Sequence, residues 1–340
     1  MSGPAFGQRR FPASSPALPM VAAAMSLVGC SQAPPPIRVF PPPPAEPQLV
    51  YLGRLDQAPI DAPPRLSLRR WLGDLGGFLT TPLQRPFGMC AVGTRLYVCD
   101  PPTSTVVVFD YDRQDTSVIG GLGKPVAISA AADGRLFIAD AGSGRIHVRT
   151  ADGRGLPPIE PPGPGIRPAA LAVDSSRIWV ADPAGRALRA IDLNSRQWSE
   201  PFAAEPEPGF PAGVCVRGSS LWMSDALTGL LWRGELTAGR LTPWATSVRR
   251  SRPKQIAVDE AGRVYVTDAV AGAVQVIDEQ GGLRCEVRDA SVLPLPSGVC
   301  LSRELAGHYR GRLPPGFDAG RMLFVSNQSA PPGVAVFAAR

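Results

Sequence analysis

A unit of about forty residues occurs six times after residue 85, and this repetition constrains the fold more than any other feature of the chain. Each copy reads as a strand that begins at a proline, a tight turn, a second strand that ends in Asp or Asn, a short loop and a third strand. The clearest copy runs from Arg252 to Asp278. The opening prolines lie 39 to 43 residues apart: Pro86, Pro125, Pro168, Pro211, Pro253 and Pro296.

A period near forty with several short strands per copy is typical of propeller blades. One small sheet cannot bury both of its faces alone, whereas a closed ring of such sheets can. The repeats occupy most of the 340 residues, so one closed domain is favoured over two ordinary ones. We therefore predict an all-β fold, a six-bladed β-propeller over residues 48–340.

The repeat motifs resemble those of the NHL-repeat family of β-propellers. The opening Pro-x-Gly-Val-x-Val stands complete at Pro211–Val216, and the second strand Val-Tyr-Val-x-Asp stands at Val264–Asp268. The resemblance extends over roughly residues 48–340 and implies the same ring of blades. In that family, ligand contacts often gather at one mouth of the central channel. The fold itself implies no particular activity, because propellers host many unrelated ones.

The first 29 residues have the pattern of an export signal. Arg9 and Arg10 precede the short apolar run Met20–Val28, which is too short to span a bilayer. The run closes on Leu-Val-Gly followed by Cys30, which is similar to a bacterial lipobox. That resemblance implies cleavage before Cys30, its acylation, and a lipid anchor in the cell envelope, with Ser31 favouring the outer membrane. The alternative is an ordinary secretory signal with a chance cysteine.

Residues 30–47 are rich in proline, which opposes both helix and strand pairing. We predict a polyproline II tether that holds the propeller away from the lipid. Gln48–Leu55 then reads as a strand outside any repeat, while the last copy ends after Val334–Phe337 without a fourth strand. We expect the first strand to fill that vacancy, because ring closure removes exposed sheet edges.

The six cysteines show no CxxC pair and are expected to be buried thiols, apart from Cys30. Aspartates recur where second strands end, and a short acidic side chain there caps the amides of the following turn. A ring of metal-binding carboxylates is the alternative reading. The recurring aspartates are Asp100, Asp140, Asp182, Asp225 and Asp268.

The residue before the opening proline is basic in four blades: Arg85, Lys124, Arg167 and Arg252. In propellers of this type the innermost strand starts there, so we predict that these side chains gather at one mouth of the channel as a ligand-binding rim. Paired donors of arginine bind carboxylate or phosphate. With a formal net charge of +6 and predicted export, an acidic envelope polymer or an acidic partner protein is expected, and no nucleic acid. The alternative is a rim that is merely solvated.

The sixth copy carries an insertion over residues 303–318, on the face opposite the basic rim. His308, Tyr309 and Arg310 form a candidate interaction loop there, and an inert excursion is the alternative. Some NHL-like propellers are lyases or hydrolases that use clustered histidines or a channel metal. The two histidines of this chain, His147 and His308, fall in different blades. We therefore predict a non-catalytic, lipid-anchored binding protein without cofactor or metal; a metal-dependent hydrolase or lyase is the alternative.

Overall fold

The computed structural model describes residues 37–42, 45–56, 83–246 and 251–340, which belong to one compact unit, Ile37–Arg340. This unit is almost entirely β-structure, arranged as six sheets in a six-bladed propeller. The predicted fold class is confirmed. The predicted export signal, Cys30, and the tether up to residue 36 lie outside the described residues. No helix in the described ranges has the length and apolar character needed to cross a membrane.

Blades 1 to 3 follow the predicted repeats, each built from antiparallel neighbours in chain order. Blade 3 has three strands, and isolated bridges at Phe202 and Trp198 continue it. Blade 1 consists of β3 (Met89–Val92), β4 (Arg95–Asp100), β5 (Thr105–Asp110) and β6 (Asp115–Ile119). Blade 2 consists of β7 (Pro125–Ala130), β8 (Leu136–Asp140), β9 (Ile146–Arg149) and β10 (Gly155–Ile159). Blade 3 consists of β11 (Ala170–Val173), β12 (Arg177–Asp182) and β13 (Ala187–Asp192).

Blades 4 to 6 repeat the order, except that β14 pairs in parallel with the outer strand β18 of blade 4 and that blade 6 receives its outer strands from the start of the described chain. Short 3-10 helices span Pro101–Thr103 and Glu304–Arg312. Blade 4 consists of β14 (Ala203–Ala204), β15 (Pro211–Arg217), β16 (Ser220–Asp225), β17 (Leu230–Glu235) and β18 (Arg240–Thr246). Blade 5 consists of β19 (Pro253–Val258), β20 (Val264–Asp268), β21 (Ala273–Ile277) and β22 (Leu283–Arg288). Blade 6 consists of β23 (Pro296–Ser302), β24 (Arg321–Asn327), β25 (Gly333–Ala339), β2 (Leu49–Leu55) and β1 (Arg38–Phe40).

The ring closes by antiparallel pairing of β2 with β25, as predicted. Leu49 lies opposite Ala339, and Tyr51 lies opposite Phe337 with ring centroids 5.4 Å apart. Both Leu49 and Leu55 are almost completely buried. The last blade thus combines strands from opposite ends of the described chain, which protects an edge that would otherwise be open.

The predicted tether is wrong at Arg38–Phe40, which form β1 and extend blade 6 to five strands. Val39 lies opposite Val50, and the Arg38 side chain reaches Asp289 on the neighbouring blade at 2.7 Å. A three-residue stretch between proline clusters is long enough to pair with an available edge. The ion pair and the apolar contact of Phe40 with Phe337 then favour the strand over a solvated polyproline helix.

Adjacent innermost strands approach so closely that some positions admit only glycine. A Cβ at Gly213 would overlap the carbonyl oxygen of Lys254 on the next blade, and a Cβ at Gly88 would overlap that of Val126. Inside this narrow ring, the side chain of Gln255 donates to the carbonyl oxygens of Ala169 and Ala212 at 3.2 and 3.3 Å. Gln255 thereby bridges the interior between blades 3, 4 and 5.

The seams between blades bury a recurring set of aromatic side chains and several cysteines. Second-strand aromatic residues are at most 5% exposed at one shared position: Tyr97, Phe137, Trp179, Trp222 and Tyr265. The cysteines of the described residues are free thiols, which agrees with the prediction: Cys90, Cys99, Cys215, Cys285 and Cys300. Burial raises the pKa of the Cys90 thiol to about 12, so it packs as a small apolar side chain.

Candidate functional site

A concave site of about 780 Å³ opens where the innermost strands begin, and we call it the rim cup. Its volume lies within the range of ordinary small-molecule sites. Two tiers of residues from the innermost strands build it. The outer tier precedes the blade-opening prolines: Arg85, Lys124, Arg167 and Phe210. The inner tier follows those prolines: Phe87, Val126, Ala169, Ala212 and Lys254.

The structure brings together three of the four predicted rim cations, Arg85, Lys124 and Arg167. Arg252 is exposed but does not line the cup, and its place is taken by Lys254, two residues further along β19. Sequence reasoning did not identify Lys254 as a residue of the rim. Lys254 directly follows the opening proline of its blade, as Phe87 and Val126 do on theirs, and it is one of only two lysines in the chain, which is the sequence signal that marks it.

The cations of the rim cup are not neutralised by the cup's own lining. Among its lining residues none is acidic. Within the described parts of the chain, Arg85, Lys124, Arg167 and Lys254 take part in no side-chain ion pair. A cluster of four like charges without a carboxylate between them favours an anionic occupant.

The strand-ending aspartates fix the backbone of the outer tier. Asp100 accepts the Arg85 amide at 2.8 Å, and Asp140 accepts the Lys124 amide at 2.9 Å. Equivalent bonds reach the other pre-proline amides from Asp182, Asp225 and Asp268 at 3.3, 2.9 and 3.3 Å. The predicted capping of the following turn is confirmed at Asp140, Asp225 and Asp268. Each of these buried carboxylates therefore positions the backbone of one pre-proline residue.

The ionisation of Asp140 reflects this environment. Burial tends to raise its pKa, but the amides of Lys124 and Gly123, the ring of His147 and the amide of Gly142 outweigh it. The pKa of Asp140 is consequently lowered to about 2. A carboxylate that accepts several hydrogen bonds stays ionised. The Lys124 amide is thus held by a carboxylate that is negatively charged at neutral pH.

Lys254 is the one charged residue of the inner tier, where its neighbours are apolar. Burial, and after it the positive charge of Arg252, lowers the pKa of the Lys254 ammonium. Its carbonyl oxygen is fixed by blade 4, because it accepts the Ser224 hydroxyl and packs closely against Gly213. The adjacent Gln255 is anchored across the interior, so the base of this side chain has little freedom.

Apolar surface completes the cup and continues beyond it. Phe87 and Phe210 line the cup together with prolines that follow the second strands: Pro101, Pro102 and Pro183. Leu227 and Val270 occupy the corresponding turns of blades 4 and 5, and they are 72% and 62% exposed. The face that carries the cup therefore combines cations on blades 1, 2, 3 and 5 with apolar side chains on blades 1, 4 and 5.

The opposite end of the interior holds a smaller site of about 360 Å³ that shares no lining residue with the rim cup. Its charges largely neutralise one another. Glu260 lies 2.7 Å from Arg217, 3.1 Å from Arg303 and 3.6 Å from Arg321. Arg321 also pairs with buried Asp259. These ion pairs join blades 4, 5 and 6.

Of the three residues in the predicted interaction loop, His308, Tyr309 and Arg310, the structure buries Tyr309 in the protein interior. Tyr309 is fully buried, and its hydroxyl lies 2.6 Å from that of Tyr111 on blade 1. It cannot contact a partner, because the 3-10 helix folds its aromatic ring into the seam between blades 6 and 1. His308 lies over Tyr111 and 3.6 Å from Asp112, while Arg310 is exposed.

The two histidines occupy separate places. His147 Nε2 lies 3.2 Å from Asp140 on blade 2, whereas His308 lies in the insertion of blade 6. Within the described residues, no three His, Cys, Asp or Glu side chains are grouped in a way that could hold a metal ion.

No family model matches the chain, and no curated protein matches its sequence. Solved propeller structures are similar in fold. Virginiamycin B lyase from Staphylococcus aureus is 13% identical with a TM-score of 0.55, over 76% of this chain and 85% of the lyase. The calcium-binding protein regucalcin from Agrobacterium tumefaciens is 14% identical with a TM-score of 0.58, over 76% and 90%.

A chain of the nidogen/laminin complex is 17% identical with a TM-score of 0.56, over 74% of this chain and 96% of that one. The three neighbours are a lyase, a calcium-binding protein and a component of a protein complex. Likeness at such identities shows a propeller fold and leaves the activity open. The resemblance to NHL repeats depends on the sequence motifs alone.

Proposed function

We propose that this protein is a lipid-anchored, non-catalytic binding propeller of the bacterial cell envelope, and that it binds an anionic ligand in the rim cup. One observation carries the proposal: four cations line a cup of about 780 Å³ that has no acidic lining residue. The apolar wall formed by Phe87 and Phe210 favours a ligand whose anionic group sits on an apolar body. Such a ligand is either a free molecule or an acidic group presented by an envelope partner.

The composition of the chain's own remaining segments does not favour them as the source of this anion. Residues 57–82 carry three arginines and two aspartates, and residues 247–250 carry two arginines. Residues 1–36 carry Arg9 and Arg10 and no acidic residue. Since none of these segments has net negative charge, an external ligand is favoured over self-occupation.

Binding is tested with 1-anilinonaphthalene-8-sulfonate, an aromatic anion whose fluorescence rises in apolar sites. The full chain in detergent is expected to bind it in a salt-dependent way. Arg85→Gln combined with Arg167→Gln should weaken binding at least about tenfold, since hydrogen bonds to charged groups contribute about 1.5–3 kcal/mol each. The matched control, Arg154→Gln with Arg284→Gln, removes two exposed arginines elsewhere and should leave binding unchanged. Equal affinity of both double variants would refute the rim cup as the site.

The anchor is tested separately, by feeding producing cells an alkyne-tagged fatty acid. Label is expected on the wild-type protein and absent from Cys30→Ser, with the protein shifting from the membrane to the soluble fraction. Two or more acyl chains are needed for stable anchoring. Labelling that persists in Cys30→Ser would exclude this cysteine as the attachment site.

A further inference from the structure

The chain contains only two lysines, and both line the rim cup. Its 35 basic residues comprise 33 arginines together with Lys124 and Lys254. Wherever else this chain places a cation, it uses arginine. If the cup needed positive charge alone, arginine would serve there too, as it does at Arg85 and Arg167. The lysines therefore point to a property that a guanidinium lacks.

That property is a nitrogen able to lose its proton. A guanidinium stays protonated in proteins, whereas a lysine amine becomes neutral when it is desolvated or placed next to another cation. A neutral amine is a nucleophile that adds to carbonyl carbons. Of the two lysines, Lys254 has the suitable surroundings.

Lys254 stands in the inner tier with apolar neighbours, and the cations Arg85, Lys124 and Arg167 line the same cup. Within the described residues it has no carboxylate partner that would hold its ammonium form. Its pKa is lowered, first by burial and then by Arg252. Its main chain is held by Ser224 and Gly213, so the side chain starts from a fixed point in the cup.

We propose that Lys254 is a nucleophilic amine that forms a reversible imine with the carbonyl carbon of an anionic aldehyde or 2-oxo acid bound in the rim cup. This inference rests on the proposed function, because the outer-tier cations hold the anionic group. It adds the class of ligand, a small carbonyl compound that carries a carboxylate or phosphate.

The chemistry balances without any further reactant. The neutral Nζ attacks the carbonyl carbon, the π electrons move to the oxygen, and that oxygen takes up a proton as the ammonium nitrogen releases one. The resulting carbinolamine loses water to give the imine. Amine and carbonyl thus yield imine and water, with no oxidation or reduction, and hydrolysis reverses the step.

The test is reductive trapping with glyoxylate, the smallest anionic aldehyde, and sodium cyanoborohydride on the full chain in detergent at pH 7. Peptide mass mapping then gives the trapping rate at each amine. Lys254 is expected to react faster than Lys124, because burial and the charge of Arg252 lower the pKa of the Lys254 ammonium and so raise the neutral fraction of its amine. Lys124 lines the same cup and is the internal control.

Substitutions distinguish the nucleophilic role of the Lys254 amine from the role of its positive charge. Lys254→Arg keeps the positive charge and should remove the fast adduct, while Lys124→Arg should leave it unchanged. Arg85→Gln with Arg167→Gln should slow trapping of glyoxylate more strongly than trapping of neutral acetaldehyde, because only glyoxylate carries a charge for these arginines to bind.

Equal trapping rates at Lys254 and Lys124 in the wild-type protein would overturn the inference. In that case the binding of 1-anilinonaphthalene-8-sulfonate would still test, independently, whether the rim cup binds anions. Fast trapping at Lys254 that is the same for acetaldehyde and glyoxylate would overturn the anionic class of ligand and would also contradict the proposed function. Because the first comparison is made within the unmodified protein, it does not depend on the folding of any variant.

Discussion

The carboxylate of Asp100 accepts the backbone amide of Arg85 at 2.8 Å, although fifteen positions separate the two residues. The second strand of a blade thereby fixes the residue with which its first strand begins. The same bond recurs in blades 2 to 5. This hydrogen bond links the stability of the fold to the geometry of the rim cup, because the aspartates that hold the first and second strands of a blade together also position the rim cations.

Replacing Asp100 by Ala should destabilise the fold and weaken anion binding together. The change leaves the amides of Gln84 and Arg85 without their acceptor. Losing two such bonds costs about 2–5 kcal/mol in the free energy of unfolding. Urea unfolding measures this loss. Asp115→Ala, at an exposed strand end, is the matched control and should change stability by less than about 0.5 kcal/mol. Similar losses in both variants would contradict the positioning role.

Asp140 should make the stability of the propeller depend on pH in acid. Its pKa is lowered to about 2 from an ordinary value of 3.8. A folded-state pKa below the unfolded value contributes stability above the unfolded value, and this contribution is lost as the pH falls toward the folded value. The difference in unfolding free energy between wild type and Asp140→Asn should therefore narrow between pH 5 and pH 2. Urea titrations at each pH measure it, and a constant difference would be inconsistent with the assigned hydrogen bonds.

The closing strand β2 should contribute to the same cooperative unit as the repeats. Leu55 is completely buried opposite Val334. Leu55→Ala should cost about 2–5 kcal/mol through lost burial and a residual cavity. Leu283→Ala makes the same change at a side chain that is 54% exposed, and should cost less than about 0.5 kcal/mol. A separate early transition in Leu55→Ala, or no loss, would show that the ring is stable without this strand.

Tyr309 should act as a core residue of the seam between blades 6 and 1. Tyr309→Ala removes a buried aromatic ring and its bond to Tyr111, with an expected cost of about 3–5 kcal/mol. Arg310→Ala, at the next and exposed position, should change stability by less than about 0.5 kcal/mol. Thermal unfolding distinguishes the two variants. If Tyr309→Ala left the thermal stability unchanged, the insertion would again be a candidate interaction loop.

The sequence was sufficient for features that repeat or alternate. The proline period predicted six blades, and the unpaired strand Gln48–Leu55 predicted closure on Val334–Phe337. Features that depend on distant contacts were not accessible in this way. Tyr309 is buried because Tyr111, 198 positions earlier, faces it across a seam. Arg38–Phe40 became a strand because blade 6 offered an edge.

The rim cup contains both residues that the sequence pattern predicted and a residue that it did not predict. The position before each proline indicated Arg85, Lys124 and Arg167, which the structure brings together. Arg252 shares that position but does not line the cup, since the local path of its blade decides where its long side chain lies. Lys254 enters the cup from the next tier, and the count of only two lysines was the available sign. Ligand binding by all of these residues stays a prediction.

Anion binding in the rim cup is measured most directly in a crystal soaked with selenate, whose selenium is located by anomalous diffraction. We expect the strongest anomalous peak in the rim cup, within hydrogen-bond distance of Arg85, Lys124, Arg167 or Lys254. We also expect this peak to be lost in Arg85→Gln with Arg167→Gln and retained in Arg154→Gln with Arg284→Gln. A wild-type crystal with selenate bound elsewhere and none in the cup would refute anion binding at this site.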